Sequence, residues 1–143
     1  MPKALFVPLR VIAVPGGDVM HAMKASDPGF QGFGEAYFSI VHRGTVKGWK
    51  RHNRMTLNFV VPCGDIQVSV FDDSERCHTV FRLGTGRPET YGRLCIPPGL
   101  WVAFGGLGDP LNLLLNLASI PHDPTESDTL PITSFPWEWV ARG

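Results

Sequence analysis

An all-β fold of the sandwich or jelly-roll type is predicted by three features of this sequence: short apolar runs rich in β-branched and aromatic residues, turn signals between them, and a low density of charge. The chain carries 16 glycines and 13 prolines in 143 residues, and only 18% of its side chains are charged. That composition favours many turns and short strands over long helices. A chain of this size buries about two-thirds of the surface its unfolded form exposes. Residues 1–143 therefore read as one domain with one core.

The elements follow in order. Ala4-Leu5-Phe6-Val7 and Val11-Ile12-Ala13-Val14 predict one or two leading strands, and the Gly- and Asp-rich stretch that follows, through Gly34, predicts a loop. Glu35 to His42 reads as a strand, Gly44-Thr45 as a turn, and Val46 to His52 as a second strand mixing basic and aromatic side chains. Met55 to Val61 is closed by Pro62-Cys63-Gly64-Asp65. Ile66, Val68 and Val70 then alternate with Gln67 and Ser69, the period-2 signature of a half-buried strand. Thr79 to Leu83, Arg93 to Ile96 and Leu100 to Phe104 continue the series. Leu111 to Ile120, bracketed by Pro110 and Pro121, predicts a central strand.

Several classes are disfavoured. Thirteen basic residues balance thirteen acidic ones, so no global field draws the chain to nucleic acid or to an anionic membrane. No stretch approaches the roughly 18 apolar residues of a membrane helix, and the apolar N-terminal segment is broken by Pro8, Arg10 and Pro15. Cys63, Cys77 and Cys95 show neither C-x-x-C spacing nor an even framework, which argues against a zinc site or disulfide scaffold and for a reducing cytoplasm. No cofactor or metal is expected, because His, Cys and carboxylates are not clustered at ligand spacing.

Two segments carry more than architecture. The first is Val46-Lys47-Gly48-Trp49-Lys50-Arg51-His52, followed by Val61-Pro62-Cys63-Gly64-Asp65-Ile66. The second is Arg93-Leu94-Cys95-Ile96-Pro97-Pro98-Gly99-Leu100-Trp101-Val102-Ala103-Phe104, with Leu114-Leu115-Asn116, Pro121-His122-Asp123-Pro124 and the closing Phe135-Pro136-Trp137-Glu138-Trp139. In this order and spacing the chain resembles the dTDP-4-dehydrorhamnose 3,5-epimerase family over about Glu35 to Trp139. Members of that family carry an Arg-Gly-Leu-His motif, a Gly-x-Ile turn and a Pro-x-Gly-Phe-x-His-Gly-Phe strand. The resemblance implies a double-stranded β-helix, or cupin, and an isomerase of the epimerase type acting on a nucleotide-linked 4-keto sugar. It also implies a homodimer with strands paired across subunits, for which residues 1–34 are the candidate exchange arm.

By the same resemblance a histidine acts as base, a tyrosine as acid, and basic side chains grip the diphosphate. Here the base position is Lys50, the tyrosine position aligns with Asn116, and the histidine of the second motif is Val102. The keto-isomerase branch uses a His-x-His pair in this strand, and His52 takes its second place. Strand periodicity puts Lys50 and His52 on one face with Gly48, opposite Trp49 and Arg51, and that face is expected to point inward. His52 and Lys50 are thus the catalytic candidates. Lys47, Arg54, Arg43, Glu35, Trp101 and Asn116 are the substrate-binding candidates. The basic cluster can equally be a solvated strand edge. Asn116, set among leucines, must find hydrogen-bond partners, either tying a turn or facing a polar cavity. Two alternatives to an epimerase stay open: a 3,4-keto-isomerase, and a non-catalytic cupin that binds a sugar nucleotide or another small ligand.

Overall fold

The computed structural model describes residues 3–140. Twelve strands are present among them: β1 (Leu5–Pro8), β2 (Val11–Ile12), β3 (Val19–Met20), β4 (Glu35–Ile40), β5 (Val46–His52), β6 (Leu57–Cys63), β7 (Asp65–Asp72), β8 (Cys77–Gly84), β9 (Gly92–Ile96), β10 (Trp101–Gly106), β11 (Leu113–Ala118) and β12 (Ser127–Thr129). Short 3-10 turns at Pro88–Thr90, Pro124–Glu126 and Ile132–Ser134 are the helical content of these residues. Two five-stranded antiparallel sheets face each other, ordered β1-β9-β6-β11-β4 and β12-β5-β10-β7-β8. From β4 to β12 the chain passes back and forth between the sheets except at the β7–β8 hairpin, which is the jelly roll that the turn spacing predicts.

Between the sheets lies a core of Leu57, Phe59, Val61, Ile66, Val68, Val70, Leu83, Leu94, Ile96, Val102 and Leu114, each at most 5% exposed. These are the period-2 positions of their strands, as sheet geometry requires. A second cluster sits on the outer face of the β5-containing sheet, where Trp49, Phe71, Trp101 and Ala103 are covered by Leu130, Phe135 and Trp137 from the C-terminal segment. Gly105 is where that segment comes closest. A Cβ there would lie 2.6 Å from the Trp139 ring and 2.8 Å from that of Trp137.

The second cluster overturns the half-buried reading of β7. Gln67 and Ser69, which the alternation points away from the core, are fully buried because the C-terminal segment covers them. Gln67 serves that segment as a strand would: its Nε2 donates to the Glu138 carbonyl at 2.7 Å, and its Oε1 accepts from the Val140 N–H at 2.8 Å. Leu111–Ile120 is shorter as a strand than its apolar run. The Asn112 amide donates to the carbonyls of Val41 and Gly108 and accepts from the N–H groups of Asp65 and Gly108, tying the preceding loop instead of extending β11. β12 escapes sequence reading because Ser-Asp-Thr has no apolar alternation; backbone pairing with β5 defines it. In the N-terminal segment, Leu5–Pro8 pairs with Gly92–Cys95 of its own chain, while β2 and β3 form a separate two-stranded ribbon.

Trp49 is fully buried, and its Nε1 donates to the Ile132 carbonyl at 3.1 Å. Trp49→Ala is expected to cost about 3–5 kcal/mol, read from urea unfolding, with earlier proteolysis of residues 130–140.

Candidate active site between the two sheets

A cavity of about 280 Å³ opens between the sheets. One wall is built by β5, β10 and β12, with Lys47, Lys50, His52, Val102, Phe104 and Thr129. The facing wall is built by β4, β6 and β11, with Tyr37, Ser39, Leu57, Phe59 and Leu114. Three basic side chains therefore face a largely apolar chamber, and among the described residues no carboxylate lines it. Such a chamber suits an anion or a centre where negative charge develops, with His52 buried and Lys47 and Lys50 exposed at its rim. The Lys47 ammonium also donates to the Ile40 carbonyl at 2.8 Å, bracing the two sheets at the cavity's edge.

His52 is the most organised group in this site. It is 9% exposed, and its Nδ1 is hydrogen-bonded to the Oε1 of Glu126. The other oxygen of Glu126 accepts from the backbone N–H groups of Asn53, Arg54 and Met55 at 3.1, 2.9 and 3.2 Å. One buried carboxylate thus orients the imidazole and closes the β5–β6 turn. With the Nδ1 proton donated to Glu126, Nε2 carries the free lone pair, which is the state of a general base. The turn that delivers Glu126 is itself fixed. Asp123 accepts from the Thr125 N–H and hydroxyl at 2.9 and 2.7 Å, and its other oxygen accepts from Arg54 at 2.9 Å.

Burial alone would raise the Glu126 carboxyl. The hydrogen bond from His52 and those from the Arg54 and Met55 backbone outweigh it, so the group is held below its ordinary value of 4.5.

Placement separates the predicted residues. Lys47, Lys50 and His52 line the cavity. Trp101 does not: strand alternation turns it outward with Trp49, where Arg51 stacks on its ring at 4.7 Å and its Nε1 donates to Asp73. Arg54 is spent on Asp123 and Arg43 on Asp109, both outside the lining. Glu35 opens β4 opposite Ala118 and does not reach the cavity. Asn116 is fully buried on the inner face of β11 that it shares with Leu114, but it is not part of the cavity lining. It accepts from the Asn58 N–H at 3.2 Å and donates to the Tyr37 hydroxyl at 3.0 Å. Among the described residues no group of three or more His, Cys, Asp or Glu could hold a metal ion, and no helix is long and apolar enough to cross a membrane.

Sequence reasoning missed two residues, Glu126 and Tyr37. Asp123-Pro124-Thr125-Glu126 has the signature of a capped helical turn with proline at its start, but nothing local says that the turn's acid reaches back to β5. Tyr37 and Ser39 share a face by alternation, and the apolar face of the same strand, Phe38 and Ile40, is the one a core would be expected to claim.

No protein-family model matches the chain. A crystal structure of a dTDP sugar isomerase from Desulfovibrio desulfuricans G20 superposes with a TM-score of 0.84 and 39% sequence identity, covering 95% of this chain and 90% of that one. This chain belongs to the RmlC-like cupin family of dTDP-sugar isomerases and epimerases. A probable low-salt glycan biosynthesis epimerase, Agl13 of Haloferax volcanii, is 31% identical over 96 residues, a match spanning 65% of this chain and 62% of that protein. At 18% identity, the sugar 3,4-ketoisomerase QdtA of Thermoanaerobacterium thermosaccharolyticum, solved with TDP, shares the fold with a TM-score of 0.73, over 87% of this chain and 86% of that one.

A depressed Glu126 carboxyl makes its stability contribution fully present above about pH 4.5 and lost as pH falls through the folded value. Glu126→Gln should therefore flatten the fall in unfolding free energy between about pH 5 and pH 3, measured by urea unfolding across that range.

Proposed function

We propose that this chain is an isomerase of the epimerase type acting on a TDP-linked 4-keto sugar, with His52 and Lys50 handling the chemistry. The observation that carries the reading is the imidazole of His52, anchored by a buried carboxylate and facing a cation-lined cavity. A proton on carbon beside a ketone becomes removable when a base is positioned against it and the enolate oxygen is met by a donor. Nε2 of His52 takes the proton. The ammonium of Lys50, two residues back on the same strand face, donates to the developing enolate oxygen. Lys47, at the cavity's edge, meets the diphosphate.

Lys50 stands where the family resemblance implies the base, and His52 two residues later takes over that role. The exchange leaves base and electrophile side by side on one wall. A cupin that only bound its ligand would have no use for an imidazole held in one tautomer by Glu126, and this favours an enzyme over a binding module.

The protein works as a homodimer in this reading, in the cytoplasm, consistent with its three unpaired cysteines. Phe38 at 63% exposed and Ile40 at 52% lie on the outer face of β4, next to the partly buried Leu113, Leu115 and Leu117 of β11. An apolar sheet face of that kind is covered in a working protein. Leu5–Pro8 pairs with β9 at the opposite edge of the sheet, so the cover would come from the same face of a second copy.

With TDP-4-keto-6-deoxyglucose as probe, His52→Asn is expected to lower turnover by about 100-fold or more, and Lys50→Met likewise, with TDP affinity by calorimetry little changed. Wild-type turnover in both variants would overturn the assignment of roles. Sedimentation is expected to give a dimer, and Phe38→Glu to shift it towards monomer.

A further inference from the structure

Strand β9 turns Leu94 and Ile96 into the core, so Arg93 and Cys95 lie on the outer face of its sheet, where Cys95 is paired with Asn58 of β6. Both are buried all the same, Arg93 fully and Cys95 at 6% exposed, because the loop from Lys24 to Phe30 crosses over them. The guanidinium meets neutral acceptors. Its Nη1 donates to the Asn58 Oδ1 and its Nη2 to the Pro28 carbonyl at 2.7 Å, while Nε is buried without a partner. No ion pair among the described residues includes Arg93. A buried cation without an anion is unfavourable, and the group packed beside this one is a thiol. The Cys95 Sγ–H donates to the Gly29 carbonyl at 3.7 Å, and the Asn58 Nδ2 donates to the same oxygen at 3.3 Å. Gly29, with φ of +86°, closes the site: a Cβ there would lie 2.6 Å from the Cys95 sulfur and 3.3 Å from Arg93 Nη1.

We infer that Cys95 is an oxidation site whose anionic product is received by Arg93, and that oxidation lifts the loop leading into β4. Burial pushes the Cys95 thiol up and the Arg93 charge draws it down, so the thiolate forms as local opening of the loop admits water, with the cation still beside it. The oxidant is hydrogen peroxide. The thiolate attacks one peroxide oxygen, an S–O bond forms, the O–O bond breaks, and the departing hydroxide takes up a proton to leave as water. A second peroxide adds a second oxygen to the sulfenic acid in the same way, giving a sulfinic acid that is ionised at neutral pH. Each step oxidises sulfur by two electrons and reduces one peroxide to water. The sulfinate supplies the anion that the guanidinium lacks, in a charge-assisted pair stronger than the bond to Pro28. It also removes the S–H donor from Gly29 and puts two oxygens where one added carbon would already clash. Asp27 makes the loop move as a unit: its carboxylate accepts from the Lys24 N–H at 2.7 Å and its carbonyl from the Phe30 N–H at 3.2 Å. β4 begins at Glu35, so the change arises at the entry to one wall of the cavity.

The other two thiols, Cys63 and Cys77, are exposed, and a variant carrying Cys63→Ser and Cys77→Ser isolates Cys95. Treated with hydrogen peroxide and read by peptide mass spectrometry, the folded variant should gain two oxygens at Cys95. Hydrogen exchange in residues 24–34 should then speed up by about 10-fold or more, and no such change should follow when Cys95→Ser is added. Failure of the folded protein to oxidise under conditions that oxidise Cys95 in urea would overturn the inference, as would a sulfinate that leaves the exchange unchanged. The role of Arg93 is read without peroxide. Cys95→Asp supplies a carboxylate directly, and at neutral pH it should unfold at higher urea than Cys95→Asn, which is of the same size and uncharged. The reverse order would show that no anion is accepted there and would overturn the pairing.

Discussion

The buried carboxylate of Glu126 is the interaction on which both the shape and the chemistry of the site depend. A carboxylate that is 3% exposed survives only when its oxygens are fully engaged, and this one accepts from an imidazole and three consecutive backbone N–H groups. The backbone bonds fix the exit of β5, and the imidazole bond fixes a side chain on that same strand. The two are not separable: a residue that stabilises the turn also orients the His52 imidazole. The C-terminal segment that brings Glu126 continues through β12, which pairs with β5 on its free edge. Its remainder crosses the outer face over Trp49. β5 is therefore clamped on its edge and on its outer face by one run of chain, which leaves its inner face rigid where Lys50 and His52 project.

Opposite that clamped strand, β4 is inverted relative to ordinary amphipathic patterning. Its apolar residues Phe38 and Ile40 face out, while Tyr37 and Ser39 face the cavity. Burying the apolar face would place two aliphatic or aromatic side chains where the ligand must go, and a one-residue slip of register would bring that about. The register is held by pairing along all six residues of β11, from Leu113 with Ile40 to Ala118 with Glu35. The cavity exists because the strand keeps its polar face inside. The result is an apolar face left exposed, with Phe38 at 63% and Ile40 at 52%.

Much of the architecture was legible in the sequence because the jelly roll is written in period-2 alternation and turn residues, both local signals. Val46 to His52 is a strand with the bounds its flanking Gly44-Thr45 turn suggests. The face shared by positions 50 and 52 needs only the geometry of an extended chain, and both side chains line the cavity. What could not be read is long-range. Trp101 lies in a strand bordering the cavity, yet its parity sends it to the outer surface, and parity cannot be fixed until the inner face is known. Gln67 and Ser69 look solvent-facing until a segment about 70 residues later covers them. Glu126 and Arg54 show the same limit in opposite senses. An acid in an unremarkable turn becomes the partner of His52, whereas an arginine beside the basic strand is consumed by Asp123.

Size adds a last constraint. Pockets that enclose a drug-sized ligand are typically about 300–1,000 Å³, and this cavity is about 280 Å³. A nucleotide sugar exceeds it, so on the proposed reading the chamber would take the sugar ring and leave the nucleotide outside. The walls fit that division. Leu57, Phe59, Val102, Phe104 and Leu114 offer an apolar interior beside the buried His52, while Lys50 stays exposed at the rim. Lys47 stands towards the edge, where a diphosphate would cross. Arg43 and Arg54 are tied to carboxylates of their own, so on the proposed reading one chain alone would offer a nucleotide little beyond Lys47. Tyr37 and Ser39 of the edge strand β4 line the cavity, and Phe38 and Ile40 of the same strand form its bare apolar face. Covering that face with a second copy would place new side chains beside the nucleotide, so dimerisation and substrate grip would follow from the same surface.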